Sequence, residues 1–370
     1  MKIVELGLGL RPIPPTGYGG IEQTVWDLTT HMRKLGHTVE VVDPVYTGSD
    51  AKEWRRARKA PSLVSSLDAD ILHIHSERQG FFLGLRDIPY ILDSHIANWT
   101  YEKGDRSKTF NRFHNRLMFF PELCGARWAE GIVAESVPQM FGIEHRARPI
   151  GPVEFINTGV DTDFFAPNGS SGDPNVVLGI GVVQPRKRWH LAAEALDGTG
   201  MKLRIVGPTS GALGAVPSYV EKMRSYPNVE LLGEVPRADL VRELHGCGMV
   251  VHPSSGETVG LAVLQALAAG RPVIASGAIT VVNETDGALV EHLGPDELYT
   301  EPETLPKFIR NHAIRLRDHE EERVALGKRG REVMLERFSW EQVARAHLKF
   351  FDFILWSRMG KPMLPARDRP

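Results

Sequence analysis

The sequence has few cysteines, no large excess of either charge and no long uninterrupted apolar run. Its two cysteines, Cys124 and Cys247, are too few for a disulfide framework or a zinc–cysteine cluster, so we expect buried thiols in a reducing compartment. A formal net charge of −2 gives no general reason to expect nucleic acid or an acidic membrane as a partner. The apolar runs are also too short for a helix that spans a bilayer.

The remaining composition is that of an ordinary folded protein with more than one core. Hydrophobic residues make up 42% and charged residues 24% of the chain, which excludes a largely disordered protein. The 370 residues exceed one ordinary core, so two domains are expected. Met1 and Lys2 lead directly into the apolar segment 3–6, which predicts a first strand rather than a cleaved leader. We therefore expect a cytoplasmic protein.

Short apolar runs alternate with amphipathic stretches along both halves of the chain, which predicts βαβ units on parallel sheets. The linker-like run 168–174 separates the halves, so we expect two doubly wound domains with a cleft between them. The basic segment 52–59 favours a solvated helix face, although peripheral contact with the inner face of the membrane stays open. Strands are predicted at 3–6, 38–42, 71–74, 90–92, 131–134, 176–182, 202–206, 229–232, 249–251 and 272–275, and helices at 22–35, 112–128, 191–196, 219–226, 240–245, from 260, at 315–337 and at 340–355.

The stretch 252–276 carries the strongest functional signal. It contains a strand end, a polar loop with a single carboxylate at Glu257, a helix that starts at Gly260 and a second strand. Open α/β sheets bind ligands at the carboxyl ends of their strands, and a helix N-terminus favours a phosphate. The alternative is one more ordinary strand–loop–helix–strand unit, but the lone carboxylate in the loop favours a binding site.

Several motifs occur in a fixed order along the chain. They are the loop at Gly19 and Gly20, ILHIH at 71–75, His95, INTGVDTDFF at 156–165, QPRK at 184–187, the Glu257 loop and FSWE at 338–341. Their order resembles that of the family 4 retaining glycosyltransferases, which have the GT-B fold. The resemblance spans Met1 to about Leu355 and implies two Rossmann-like domains facing across a cleft, with the helix from Trp340 crossing back to the first domain. It implies an acceptor-binding domain at 1–167 plus about 340–370, and a nucleotide-sugar-binding domain at 174–339.

The resemblance also implies roles for individual residues. Lys187 and Arg186 would stabilise the charge that develops on the diphosphate leaving group. Glu257 would accept hydrogen bonds from the donor sugar, and His95 would contact that sugar and help to stabilise the transition state. We therefore expect His95, Lys187 and Glu257 to be catalytic. Expected donor-binding residues are Gly19, Gly20, Arg186, Gly233, Val235, Thr258, Val259, Gly260, Leu261 and Gln265.

Two positions depart from the family pattern. Val182 stands where the family usually has an arginine, and Gln265 stands where it has a second glutamate that is usually assigned to the ribose. We hypothesise that Arg186 or Arg188 replaces the lost positive charge, and that Gln265 weakens a charge-assisted contact.

Two further residue pairs bear on metals and structure. Asp161 and Asp163 have the spacing of a metal-binding Asp-x-Asp, but they lie in the hinge-proximal segment of the family pattern. We interpret them as structural and expect no metal cofactor. His73 and His75 are two residues apart on one strand, so they share a face, and we also interpret them as structural.

The predicted activity is retaining transfer of a sugar from a nucleotide-diphosphate sugar to a hydroxyl acceptor on a glycan, lipid or other glycoconjugate. Two alternatives stay open: a nucleotide-sugar 2-epimerase of the same fold, and a non-catalytic nucleotide-sugar-binding subunit, which the departures at Val182 and Gln265 motivate. Loops 80–86 and 97–113 are expected to shape the acceptor site. The second loop mixes aromatic and basic residues, so a nucleic-acid acceptor is not excluded. Either a monomer or a homodimer fits the sequence.

Overall fold

The computed structural model describes residues 1–9, 11–15, 20–43, 53–95, 112–211, 214–257, 259–277, 286–291 and 304–360. The chain divides into two compact units, Met1–Gly159 with Trp340–Pro370 and Val160–Ser339. Within the described ranges, every helix is too short or too polar to cross a membrane.

The first unit is built on a six-stranded parallel sheet with the strand order β2-β1-β3-β4-β5-β6. Its strands are β1 (Lys2–Leu6), β2 (Thr38–Val42), β3 (Ile71–Ile74), β4 (Ile91–Ser94), β5 (Gly131–Ala134) and β6 (Val153–Phe155). Its helices are α1 (Gly20–Lys34), α2 (Glu53–Val64), α3 (Glu77–Gly84), α4 (Arg112–Arg127), α5 (Val137–Arg146) and α12 (Trp340–Arg358). Buried side chains of α1 and α12 pack with one face of the sheet, and those of α2 to α5 pack with the other. A parallel sheet covered on both faces explains why most residues of its strands are apolar.

The second unit repeats this architecture with the strand order β12-β11-β10-β7-β8-β9, again all parallel. Its strands are β7 (Asp173–Ile180), β8 (Lys202–Val206), β9 (Val229–Gly233), β10 (Cys247–His252), β11 (Val273–Ser276) and β12 (Ala288–Glu291). Its helices are α6 (Trp189–Leu196), α7 (Pro217–Arg224), α8 (Arg237–Gly246), α9 (Leu261–Ala268), α10 (Thr304–Asp318) and α11 (Glu320–Val333), with a 3-10 turn at Pro185–Lys187 and a π-helical turn at Met334–Phe338.

The last helix, α12, belongs to the first unit. A Cβ atom on Gly159 would lie 2.4 Å from the Trp340 ring, so only glycine allows this close approach at the start of α12. Trp340 and Phe351 are buried in the same apolar cluster as Ile3 of β1. The predicted return of the last helix to the first unit is thereby confirmed, as are the two doubly wound α/β folds.

Several local predictions differ from the structure. The units divide between Gly159 and Val160, whereas composition suggested the run 168–174. The reason is that Val160 and Phe165 are already buried in the core of the second unit. The predicted helix 315–337 is interrupted at His319 and divided between α10, α11 and the π-helical turn.

Two expected surface features are also corrected. Residues 80–84 of the supposed acceptor loop form part of α3, because Leu83 is buried against the sheet. Residues 97–111 of the other acceptor loop lie outside the described residues, and 112–113 begin α4. In the basic segment, Arg56 is buried and donates a hydrogen bond to the Leu8 carbonyl, so this helix face is not simply solvated.

Candidate functional site

Two loops meet at the carboxyl ends of neighbouring strands in the second unit. One follows β7 and carries Arg186 and Lys187 in the 3-10 turn, and the other follows β10 and carries Glu257. β7 and β10 pair in parallel, so both loops emerge at the same edge of the sheet. The Ser255 N–H donates to the Arg186 carbonyl at 2.9 Å, which joins the two loops directly. The sheet topology therefore brings these residues together although about 70 positions separate them.

The Glu257 carboxylate is the centre of this arrangement. Lys187 Nζ donates to Glu257 Oε1 at 2.6 Å, and Ser254 Oγ donates to the same oxygen at 2.7 Å. His252 Nε2 lies 3.3 Å and an Arg186 guanidinium nitrogen 3.4 Å from Oε1. Arg186 also donates to the Gly256 carbonyl. All four of these distances end on Oε1, so none of these contacts uses Oε2.

The electrostatics keep Glu257 ionised. Burial alone would raise the pKa of Glu257, but the close approach of His252 and the charges of Lys187 and Arg186 hold it well below its usual range. Burial lowers the pKa of Lys187 against the opposing attraction of Glu257. Burial also lowers the pKa of His252, which favours the neutral imidazole. The site is thus a carboxylate enclosed by cationic and neutral donors.

Helix α9 begins directly beyond this carboxylate. Gly260 precedes α9 with φ +81° and ψ +62°, a left-handed conformation that favours glycine. The first N–H groups of a helix lack partners within the helix and carry a partial positive charge. Val259 is buried, while Leu261 and Gln265 are half-buried on α9. The loop therefore places cationic side chains and a helix N-terminus on one edge of the second unit.

His95 lies in a buried polar network of the first unit. Its Nδ1 is 3.0 Å from Glu135 Oε1, and its Nε2 is 2.9 Å from His75 Nδ1. His75 Nε2 lies 2.8 Å and His73 Nδ1 2.9 Å from Glu5 Oε2. The interpretation of His73 and His75 as structural agrees with their complete burial within this network. Both ring nitrogens of His95 are engaged inside the network.

Burial and charge act in opposite directions on these groups. Burial would lower the pKa of His95, but the Asp93 and Glu135 carboxylates raise it to about 9. Burial would raise the pKa of Glu5, but the two histidines lower it to about 2. Burial lowers the pKa of His75 to about 4. Glu5 and Glu135 were not identified from the sequence. Glu5 could have been found, because a glutamate within the apolar strand β1 would be buried and would need hydrogen-bond partners.

The comparisons with known proteins agree with this architecture. The family model described as "Glycosyl transferases group 1" matches residues 160–333. The model described as "Glycosyltransferase Family 4" matches residues 18–164. The chain belongs to glycosyltransferase family 4. A curated relative, the D-inositol 3-phosphate glycosyltransferase of Segniliparus rotundus, is 27% identical, and the match covers 99% of this chain and 92% of the relative.

Solved structures similar to this family 4 glycosyltransferase have the same fold. Sucrose-phosphate synthase from Thermosynechococcus elongatus superposes with a TM-score of 0.76 at 20% identity, covering 96% of this chain and 99% of that one. Anabaena HepE, solved in complex with UDP-glucose, superposes with a TM-score of 0.69 at 15% identity, covering 95% and 99%. The predicted GT-B fold is confirmed by these likenesses.

The other predicted donor-binding residues of this glycosyltransferase lie on different elements of both units. Gly19 and Thr258 lie outside the described residues, and Gly20 is the first residue of α1. Gly233 ends β9 with φ +74°, and the neighbouring Val235 is partly buried against the core.

Val182 stands where the family pattern has an arginine, and Arg186 and Arg188 are the suggested replacements for that charge. The three residues lie in different surroundings. Val182 is buried and its carbonyl accepts from the Trp189 indole at 3.2 Å. Arg188 is buried at φ +52°, whereas Arg186 is half-exposed beside Glu257. Of the two arginines, Arg186 is therefore the one beside the candidate site. The interpretation of Asp161 as structural agrees with its hydrogen bond from the Phe164 N–H at 2.9 Å and its ion pair with Arg237 at 3.3 Å.

Proposed function

We propose that this glycosyltransferase transfers a sugar from a nucleotide-diphosphate sugar to an acceptor hydroxyl, with retention at the anomeric carbon and without a metal at the diphosphate. The observation that carries the proposal is the convergence of Lys187 and Arg186 on Glu257, directly before the N-terminus of α9. HepE, which has a similar fold, was solved with UDP-glucose, and this supports a nucleotide-sugar donor.

The two cations suit the diphosphate leaving group. Negative charge builds on that group as the glycosidic bond breaks, and fixed cations stabilise it without reorganisation. Lys187 is held by Glu257, so its ammonium is oriented before the donor binds. Arg186 lies in the same turn and is half-exposed, with a guanidinium nitrogen 3.4 Å from the same carboxylate. The N–H groups at the start of α9 would add further donors for phosphate oxygens.

Glu257 would then hold the sugar through Oε2, because its contacts with Lys187 and Ser254 are made through Oε1. A carboxylate oxygen accepts hydrogen bonds from sugar hydroxyls. In the proposed mechanism the acceptor attacks from the face that the leaving group vacates, and the departing phosphate takes the acceptor proton. The family resemblance implies that His95 contacts the donor sugar. This contact requires His95 to release Glu135 or His75, because both of its ring nitrogens are engaged within the buried network.

Two subsidiary parts of the proposal concern affinity and location. Gln265 would contact the ribose as a neutral amide, which gives a weaker contact than the glutamate of the family pattern. We also propose a cytoplasmic location, which the free, buried thiols of Cys124 and Cys247 support.

A thermal-shift screen of UDP-, GDP-, ADP- and dTDP-sugars tests donor binding, since a ligand that binds only the folded state raises the Tm. Any donor that binds is then incubated with hydroxyl acceptors, and the anomeric configuration of the product is determined by NMR. The panel includes D-inositol 3-phosphate, because a relative with that name matches nearly the whole chain. We expect retention, and activity that survives brief treatment with a chelator.

Other outcomes would identify a different function. Conversion of the donor to its 2-epimer without acceptor would indicate an epimerase. Tight donor binding with neither hydrolysis nor transfer would indicate a binding subunit. Activity that is lost in chelator and restored by manganese would contradict metal-independent transfer.

A further inference from the structure

We propose that His73, Asp93 and His347 bind one zinc ion in the core of the first unit. The three residues come from β3, β4 and α12, and their side chains are at most 3% exposed. Their candidate ligand atoms all lie within 4.8 Å of one another. Two histidines and one carboxylate are a common ligand set for zinc. The sequence alone gives little indication of this site, because His347 lies far along the chain from the other two residues.

The hydrogen bonds of both histidines prepare their Nε2 atoms as ligands. His73 Nδ1 lies 2.9 Å from the Glu5 carboxylate, and His347 Nδ1 lies 2.9 Å from the Val343 carbonyl. Carboxylate and carbonyl oxygens are acceptors, so each Nδ1 carries a hydrogen. In the neutral imidazole, Nε2 then has no hydrogen and carries a lone pair that can bind a metal ion. Metal-ligating histidines usually have this arrangement, with the second ring nitrogen donating to a carboxylate or a backbone carbonyl.

Each of the three residues has a buried polar atom that makes no hydrogen bond with the described part of the chain. Among the residues that the structure describes, His73 Nε2, His347 Nε2 and Asp93 Oδ1 have no hydrogen-bond partner. His347 Nε2 lies 3.6 Å from Asp93 Oδ2, longer than a charge-assisted hydrogen bond. Two ligands at about 2.0–2.1 Å from one tetrahedral zinc ion would be roughly 3.3 Å apart, which is close to this spacing. A single ion would therefore satisfy several polar atoms whose burial is otherwise costly.

The neighbouring histidine groups do not need an ion. Glu5, His73 and His75 also lie within 4.8 Å of one another, but Glu5 already accepts from both histidines at 2.8–2.9 Å. His75 and His95 are joined by a 2.9 Å hydrogen bond. The distinction identifies the Asp93 side of the network as the metal-binding side.

The proposed ion has a structural role. Zinc bound by Asp93, His73 and His347 would attach α12 to the sheet of the first unit, with the second oxygen of Asp93 available as a fourth donor. The site does not include Lys187 or Glu257, although Asp93 also faces His95 Nε2 at 4.0 Å.

The test is the metal content of tag-free full-length protein expressed in zinc-supplemented medium, measured by inductively coupled plasma mass spectrometry. We expect about one zinc per chain in the wild type. His347→Ala and Asp93→Asn should each lower the bound zinc by roughly tenfold or more. Protein grown in cobalt should show the visible absorption of tetrahedral Co²⁺. Wild type from zinc-free medium should gain roughly 5 °C or more in Tm on zinc addition.

Two variants separate ligand loss from general damage. Phe351→Leu disturbs the ring that packs 5.1 Å from His73 and 6.1 Å from His347 but removes no ligand. His145→Ala removes an exposed histidine on α5. Both should keep their zinc. The proposal would be overturned if wild-type protein grown with zinc contained none, or if His347→Ala kept its full zinc content. If His347→Ala does not fold, the metal content and cobalt spectrum of the wild type decide.

Discussion

Lys187 Nζ lies 2.6 Å from Glu257 Oε1, and the two residues reach each other from loops that follow neighbouring strands of one sheet. Each side chain compensates for the burial of the other, and Ser254 adds a second hydrogen bond to the carboxylate at 2.7 Å. Lys187 and Glu257 therefore stabilise the second unit and are also the residues that we propose contact the donor.

Replacement of Lys187 by alanine should lower kcat by about 10²- to 10³-fold, because one fixed cation is lost from the leaving group. Circular dichroism should show that the fold is intact. Lys222→Ala, on an exposed position of α7, is the matched control and should retain wild-type turnover. Near-normal turnover of Lys187→Ala would remove this residue from the proposed site.

A double-mutant cycle between Lys187→Met and Glu257→Gln should give a coupling free energy of about 1–3 kcal/mol in urea unfolding, because each single change leaves the other group buried without its partner. The same cycle on Arg224 and Glu221, an exposed pair on α7, should give little or no coupling. Equal coupling in the two cycles would show that burial does not strengthen the Lys187–Glu257 pair.

Glu77 should make the stability of the protein depend on pH. Burial raises the pKa of Glu77 from 4.5 to about 7, against an opposing hydrogen bond from Ser94. Between these pH values the unfolded chain releases a proton that the folded chain keeps, so rising pH favours unfolding. From pH 4.5 to 7.5, the free energy of unfolding of the wild type should fall relative to Glu77→Gln by about 3 kcal/mol.

Urea unfolding of both proteins across this range measures the difference. Glu144→Gln, at an exposed position of α5, controls for the general effect of removing one glutamate. If the difference in the free energy of unfolding between wild type and Glu77→Gln does not change with pH, Glu77 has the same proton affinity in the folded and unfolded states.

Gly125→Ala should destabilise the first unit by about 1–3 kcal/mol or more, because helices α3 and α4 pack too closely for a side chain there. A Cβ atom on Gly125 would lie 1.8 Å from the Glu77 carbonyl oxygen. Gly246→Ala in α8 has open space around its Cβ position and should be neutral or slightly stabilising. The measurement is the urea midpoint, and an unchanged midpoint for Gly125→Ala would contradict the packing.

Much of the fold could be predicted because apolar periodicity reports directly on strands and helices. The limits of β2 (Thr38–Val42), β3 (Ile71–Ile74) and β5 (Gly131–Ala134) agree with the prediction, since each strand is a short run ended by a polar or turn-forming segment. The short edge strand β6 (Val153–Phe155) was missed, because its residues are half-exposed or exposed and show no apolar run.

The residues of the candidate site in the second unit could be predicted because they follow strand ends, where parallel sheets collect polar side chains. The partners of those residues could not. His252, at the end of an apolar strand, gives no sign of its 3.3 Å approach to Glu257. Glu135 and His347 join the His95 network only through tertiary packing, which leaves no local pattern in the sequence.

The two cysteines have a practical consequence. Cys124 belongs to the first unit and Cys247 to the second, and burial raises the pKa of both thiols, that of Cys247 to about 12. A thiol reagent can therefore label the fully buried Cys247 only when its strand opens, and labelling of Cys124, which is 9% exposed, should be slow until its helix opens. Mass spectrometry of the labelled peptides would follow the opening of the two units separately, with no engineered probe.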